Sequence, residues 1–236
     1  ANSLSCHGKP LRLSFWFYAT ADANMVLFHS KSDLWCQITL RSSQFGSKIE
    51  FYDSQGAMKK FTGTWAANQW NHVVVTVDSS NDAHFYLNGK LDSLHTNTVI
   101  LQRNNIDFMI GARWDPGSNT IMSPFKGQLD EIATWNAVLA DQNVAVGTTA
   151  GGDIEKIYNL GAPTDLKASV SYNNAQNNIN SLTNWWRMDN TALVNSEGIV
   201  SLSYVGAGGT NSLSTNTPGP TATVSEDILF LSLIHI

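Results

Sequence analysis

The residues that could do chemistry concentrate in two stretches. The first is Phe125-Lys-Gly-Gln-Leu-Asp-Glu-Ile-Ala-Thr-Trp135, which carries the adjacent acids Asp130 and Glu131. Two carboxyl groups flanking one bond are the machinery of glycoside hydrolysis. On a strand they must sit at i and i+2 to face the same cleft. Two positions on from Glu131 is Ala133, and four on is Trp135. The segment alternates, with Leu129, Glu131, Ala133 and Trp135 expected on one face and Asp130, Ile132 and Thr134 on the other. Asp130 and Glu131 should then point apart and could not share a glycosidic bond. Asp130 has two other readings: a carboxylate bonded to a loop backbone, or one ligand of a Ca²⁺ completed by backbone carbonyls. A D-x-D-x-D-G signature, which would name the remaining ligands, is absent.

The second stretch is Gly111-Ala-Arg-Trp-Asp-Pro-Gly-Ser-Asn-Thr120, read as a loop from its Asp-Pro-Gly turn chemistry. Trp114 beside Arg113, Asp115 and Asn119 offers an apolar platform with a few orienting polar groups, as a sugar or peptide site requires. The alternative is a tryptophan folded down to plug the end of the fold. Trp65, in Gly63-Thr-Trp-Ala66, carries the same two readings. His7, His29, His72, His84, His95 and His235 show no metal-ligand spacing, and His72 reads as a satisfied structural histidine. Cys6 and Cys36 could close a loop of about 30 residues, worth roughly 3–4 kcal/mol, or stay as two buried thiols.

Elements must position these residues. Period-two alternation predicts strands over Leu11–Ala19, Met25–Ser30, Leu34–Leu40, Ile49–Tyr52, Trp70–Asp78, Ala83–Leu87, Lys90–Ser93, Asp107–Gly111 and Gly127–Trp135. Lys31-Ser32-Asp33 reads as a hairpin turn. Asn88-Gly89 predicts a type I′ turn, with positive φ at both residues. Such spacing argues for an antiparallel two-sheet sandwich with Trp16, Trp35, Trp70, Val74 and Trp135 buried. Short helices are expected over Asp141–Val146 and Asp153–Leu160, the latter with Asp153 as N-cap and Gly161 as its stop. The insert Gly147-Thr-Thr-Ala-Gly-Gly152 reads as a flexible surface loop. Residues 167–236 are rich in Asn, Ser, Thr, Gly and Pro and should lack a core of their own, with Trp185–Met188 docking as a strand on the first domain. Leu229–Ile236 is an abrupt apolar run, resembling an adaptor-derived tail or else forming a terminal strand.

Gln69-Trp70-Asn71-His72-Val73-Val74-Val75-Thr76-Val77-Asp78, then Phe85-Tyr86-Leu87-Asn88-Gly89-Lys90, then the Gly127–Trp135 strand resemble, in this order, the laminin-G-like branch of the concanavalin A-like lectins and glucanases. Trp135-Asn-Ala-Val-Leu139 and Ile157-Tyr-Asn-Leu-Gly161 fit that family's close, and the resemblance covers residues 11–166. It implies an all-β, antiparallel two-sheet jelly roll with short helices near its C-terminal end, over residues 1–166, followed by a linker and partial second module over 167–236. Only about a dozen residues precede Ser14-Phe15-Trp16, so the first strand is expected to be truncated. The fold hosts enzymes and binding modules alike. The Glu-x-Asp-x-Glu pattern of its family-16 glucanases is not matched at Glu131.

Composition narrows the partners. Net charge is −5 with no basic run, which gives nucleic acid little purchase. No apolar run reaches bilayer length. Charged residues are 14% against the usual quarter, so Asn, Ser, Thr and Gln must supply the polar surface, as in β-rich extracellular or virion proteins. The expectation is therefore a non-catalytic module binding a glycan or cell-surface ligand in a larger extracellular or phage virion protein. The alternatives are a structural spacer of a tail fibre or surface protein and, third, a hydrolase.

Overall fold

The structure is a computed structural model that describes residues 11–30, 36–100, 108–115, 117–137, 139, 141, 145–164, 166, 182–187, 202–206 and 209–213. Cys6, Trp35, the 31–33 turn, Pro116, Met188 and the 229–236 run lie outside the described residues, as do residues 142–144 of the helix expected over Asp141–Val146, whose described Ala145 and Val146 form a bend and a turn.

Two antiparallel sheets face each other. The larger contains β1 (Arg12–Ala19), β6 (Trp70–Val77), β7 (Ala83–Leu87), β8 (Lys90–His95), β12 (Gly127–Trp135), β13 (Leu182–Arg187), β14 (Leu202–Gly206) and β15 (Gly209–Leu213). Its strand order is β15-β14-β13-β12-β1-β6-β7-β8. The smaller contains β2 (Met25–Ser30), β3 (Gln37–Leu40), β4 (Ile49–Tyr52), β5 (Met58–Lys60) and β9 (Phe108–Ile110), in the order β5-β4-β3-β2-β9. A hairpin of β10 (Arg113–Asp115) and β11 (Thr120–Met122) stands apart from both.

Alternation builds the core between the sheets. Leu13, Phe15, Phe17 and Ala19 of β1, with Val73, Val75 and Val77 of β6, meet Ile38, Leu40, Ile49 and Phe51 of the smaller sheet. Asp92 of β8 ties the layers at one edge by accepting the amides of Thr62 (2.6 Å) and Gly63 (2.7 Å). Asp53, fully buried, accepts those of Gln55 (2.9 Å), Ala57 (2.8 Å) and Val99 (3.2 Å).

A second apolar cluster covers the outward face of the larger sheet. Val74, Tyr86, Ala133, Trp135 and Trp185 pack there beneath Ile154 and Ile157 of the helix α1 (Gly152–Tyr158). Over much of their length both faces of β1, β6 and β12 are therefore covered, which explains why these strands carry large apolar residues on alternate and intervening positions. The helix is shorter than expected. Gly151 is its N-cap, Asp153 lies buried inside the first turn, and Asn159 (φ 46°) ends it in place of Gly161. The 147–152 insert is tied down rather than loose. Gly147 donates to the Leu91 carbonyl (2.7 Å), Leu91 donates to that of Thr148 (3.0 Å), Ala150 donates to that of Gly89 (2.8 Å), and Thr149 bridges Lys90. The free edge of β8 supplies those partners.

Asn88 (φ 49°) and Gly89 (φ 72°) adopt the type I′ turn. A Cβ on Gly89 would strike the Tyr158 ring at 2.2 Å. Gly127 (φ 150°) is tighter still, since a Cβ there would lie 1.9 Å from the Tyr18 carbonyl oxygen. Gly127→Ala is expected to cost more than about 1 kcal/mol, seen as a lower midpoint in urea. A variant unfolding at the parent midpoint would show that this corner relaxes freely.

The predicted faces of β12 need correction. Ser14 pairs with Ala133 and Trp16 with Asp130, so Glu131 and Ile132 together stand opposite Phe15. This is a β-bulge, with Glu131 in the left-handed region at φ 49°. It shifts the alternation by one. Leu129 and Ile132 both pack toward the inter-sheet core, while Ala133 and Trp135 join the outer cluster. Asp130, in register with Trp16, and Glu131, bonded to the outer-layer Trp185, lie on the same side of the sheet. The expectation that the two acids point apart fails because a bulge breaks period two.

Trp70 is the other correction. It is 41% exposed and meets Tyr18 edge-on at 5.7 Å, while Trp16, Val74 and Trp135 are buried.

Candidate functional site

The expected binding loop is a β-hairpin. Trp114 pairs with Ile121 and Asp115 with Thr120 across it. The Asp115 carboxylate is used by its own turn, accepting the Gly117 amide (3.1 Å) and the Ser118 hydroxyl (2.8 Å). These bonds, the Ser118 hydroxyl first, hold its pKa below the usual carboxylate value. Asn119 (φ 54°) shapes the same turn. Strand alternation places Arg113 and Asp115 on one side of β10 and the half-buried Trp114 on the other. The structure therefore separates the proposed stacking ring from the two groups meant to orient its ligand. The Arg113 side faces β2, where its charge acts on His29. Trp65 is the plug rather than a platform. It is 4% exposed, lies edge-on to Phe17 in the core and donates its indole N–H to the Arg41 carbonyl (2.8 Å).

The smaller sheet brings together polar residues that sequence reasoning missed. On its outward face His29 lies opposite Gln37, and Gln37 opposite Tyr52. In the next row Thr39 lies opposite Glu50, and Glu50 opposite Lys60. Directly opposed side chains on one face sit about 5 Å apart, so these two rows form one surface. One part of it is a charge network. Glu50 Oε2 accepts from Arg41 Nε (2.7 Å) and from the Tyr52 hydroxyl (2.9 Å), and Lys60 Nζ lies 3.6 Å from the other oxygen. Arg41 also donates to the Tyr52 oxygen at 3.0 Å. Its other part is incompletely bonded. Gln37 donates to Thr39 Oγ1 at 2.5 Å, but Gln37 Oε1 and His29 Nδ1 have no partner. These residues are 7% and 6% exposed. Burial, with the Arg113 charge adding to it, lowers the His29 pKa to about 4, so the ring is neutral at pH 7. The alternation of Gln37-Ile-Thr-Leu-Arg41 and Ile49-Glu-Phe-Tyr52 was the available signal, since it puts every polar group on one face.

The outward face of the larger sheet carries different chemistry. Glu131 is 6% exposed and accepts the Trp185 indole N–H (2.5 Å) and the Arg187 Nε–H (3.2 Å). Burial raises its pKa to about 7 against the pull of those two donors, with Asp130 adding a smaller upward push. Ser14, Trp16, Ile157, Thr164 and Leu166 line a small crevice with it. Asp130 Oδ1 accepts the amide of Glu131 at 2.8 Å. Among the described residues no three of His, Cys, Asp and Glu gather to hold a metal, so a Ca²⁺ at Asp130 would depend on backbone oxygens. His72 is fully buried, its Nε2 2.9 Å from Ser14 Oγ and its ring against Trp16 and Tyr158. Its Nδ1 has no partner, so it is only half satisfied, and burial lowers its pKa to about 3.

This is a lectin-like sandwich with a polar sheet face. Residues 2–145 match a laminin-G-type family profile described as the concanavalin A-like lectin/glucanases superfamily. The chain belongs to that superfamily. No curated protein matches it. Among solved structures, a Bacteroides ovatus protein provisionally described as carbohydrate binding shares 12% identity at a TM-score of 0.56. That alignment covers 89% of this chain and 54% of the other, so the chain spans about half the length of that protein. The heptameric SAP-like pentraxin of Limulus polyphemus aligns at 12% identity and TM-score 0.49, over 88% of this chain and 84% of its own. A Ruminococcus gnavus sialidase carbohydrate-binding module, CBM40, solved with α2,3-sialyllactose, aligns at 14% and 0.45, over 56% and 78%. At these identities the likeness is one of fold.

Proposed function

We propose that this chain is a non-catalytic recognition module of a larger extracellular or virion protein, and that it binds a glycan through the outward face of its smaller sheet. The observation that carries the reading is the pair of unpartnered polar atoms, Gln37 Oε1 and His29 Nδ1, beside the Arg41–Glu50–Tyr52 network. Buried polar atoms without partners are costly; both are closed to solvent in the free chain, and a ligand hydroxyl that displaces the side chains over them satisfies them. The bulk of the network is prepaired, so the surface is rigid before a ligand arrives. Arg113 borders the same surface, and Trp114 would contribute from the far side of its hairpin only at the rim. Recognition rather than hydrolysis fits Glu131, whose two carboxylate oxygens are both engaged by Trp185 and Arg187.

A glycan array run with calcium and with EDTA tests the reading. Gln37→Ala is expected to weaken any bound glycan at least about five-fold, the effect of losing about 1 kcal/mol, with the circular dichroism unchanged. Trp114→Ala measured in parallel reports whether the hairpin takes part. Equal signals with calcium and EDTA would remove the metal from Asp130. A folded Gln37→Ala protein that binds as the parent does would move the site off this face.

A further inference from the structure

The row Trp70–Tyr18–Gln128 on the outward face of the larger sheet stays open where its neighbours are covered. Tyr18 lies in register with Trp70 on one side and Gln128 on the other. The preceding position on β1, Trp16, is sealed by the Tyr158 ring stacked at 5.7 Å and 14°. One step further the helical layer has ended. Trp70 is exposed, Tyr18 half-buried and Gln128 exposed. A single exposed apolar side chain is ordinary. Here two aromatic rings meet edge to face with a primary amide beside them.

The backbone beneath them is fixed. Asn68 donates to the Ala19 carbonyl (2.8 Å), and Thr20 donates to that of Lys126 (2.9 Å). Asn71, fully buried, donates to Ala66 and Gln69 (2.9 Å each). Gly127, where a Cβ would strike the Tyr18 carbonyl, closes the corner. A rigid platform loses little entropy on binding.

We infer that Trp70, Tyr18 and Gln128 form a second binding subsite, which takes a neutral pyranose of a polysaccharide through its C–H face. The inference rests on the glycan reading above and adds a second contact on the opposite side of the sandwich. Trp70 supplies the stacking surface, the Tyr18 hydroxyl and Gln128 amide meet ring hydroxyls, and no residue of the row is ionic. A wholly apolar partner would leave that hydroxyl and amide unpaired. A charged sugar would find no counter-charge within the row.

Affinity electrophoresis of the whole chain through gels containing β-glucan, xylan or mannan, with polygalacturonan as the charged comparison, tests this. At least one neutral polymer should retard the parent. Trp70→Ala should weaken that retardation ten-fold or more, and Gln128→Ala a few-fold, with unchanged melting temperatures. Gln128→Ala decides the matter if Trp70→Ala proves unstable. Parent-like retardation of both variants overturns the subsite and leaves the sheet-face reading standing. Failure of every polymer, polygalacturonan included, to retard the parent overturns both, whereas retardation by polygalacturonan alone overturns the neutral subsite and leaves the sheet-face reading standing. A concentration-dependent dimer that Trp70→Ala abolishes in sedimentation would show instead that a second copy covers this face.

Discussion

Trp185→Ala is expected to destabilise the fold by about 3–5 kcal/mol, the range for deleting a buried tryptophan. The indole is 1% exposed and lies in register with Ala133 and Val205 in the middle of the larger sheet. Three losses coincide in this substitution. The outer cluster with Leu182, Ala133 and Leu166 loses one of its two tryptophans. The Arg187 guanidinium, 4.9 Å from the indole centroid, loses its ring. Glu131 loses one of its two donors while remaining buried. Ending the chain at residue 166 removes the same contacts together with Arg187, and should lower stability at least as much. Chemical denaturation of the three proteins decides it. A chain ending at 166 that unfolds at the parent midpoint would show that β13 adds nothing. Trp185→Phe, which keeps an aromatic ring but donates no hydrogen bond, should fall between parent and alanine.

The docking of that strand was legible because Trp185-Trp186 is an apolar pair in an otherwise polar stretch, and two such rings need a surface. The main strands were legible for the same kind of reason. Met25–Ser30, Ile49–Tyr52, Ala83–Leu87 and Gly127–Trp135 have the bounds expected from the sequence. Trp70 misled because its position in a strongly apolar strand says nothing about where the covering layer stops. The bulge at Glu131 was hidden for a different reason. Alternation assumes one residue per pairing position, and nothing in Leu129-Asp-Glu-Ile132 announces that two residues will oppose Phe15. The hairpin of Arg113–Met122 was hidden because its turn residues are as good for a loop as for a two-stranded ribbon. The polar face of the smaller sheet could have been found. Attention went to loops, where sites are commonest, while the same two-residue period that located the core had already placed Gln37, Thr39 and Glu50 on its reverse.

Acidification from pH 7 to pH 5 should destabilise the parent modestly and Glu131→Gln strongly. His72, with a pKa of about 3, and His29, at about 4, are held neutral by burial, with Arg113 opposing the charge at His29. Each unfolded imidazole titrates near 6.5, so the unfolded chain binds more protons below that value. By linkage their contribution is present above pH 6.5 and is lost as pH falls toward the folded pKa. Over this window each loses roughly 2 kcal/mol, at about 1.4 kcal/mol per unit. Glu131 runs the other way. Its folded pKa, raised to about 7, lies above the unfolded value of 4.5, so the folded chain binds more protons between them. That contribution is full below pH 4.5 and is lost as pH rises through 7, so acidification returns roughly 2 kcal/mol over the same window. Arg187 and the Trp185 indole face the carboxyl from β13, and Asp130 adjoins it on β12; their effects are already contained in its raised value. The parent should therefore lose only about 2 kcal/mol between pH 7 and 5, and Glu131→Gln, which cannot titrate, about 4 kcal/mol. Urea unfolding at the two pH values measures both. Equal pH slopes for the two proteins would mean that Glu131 titrates in the folded chain as it does in water, and that the carboxylate is solvated where the structure has it buried.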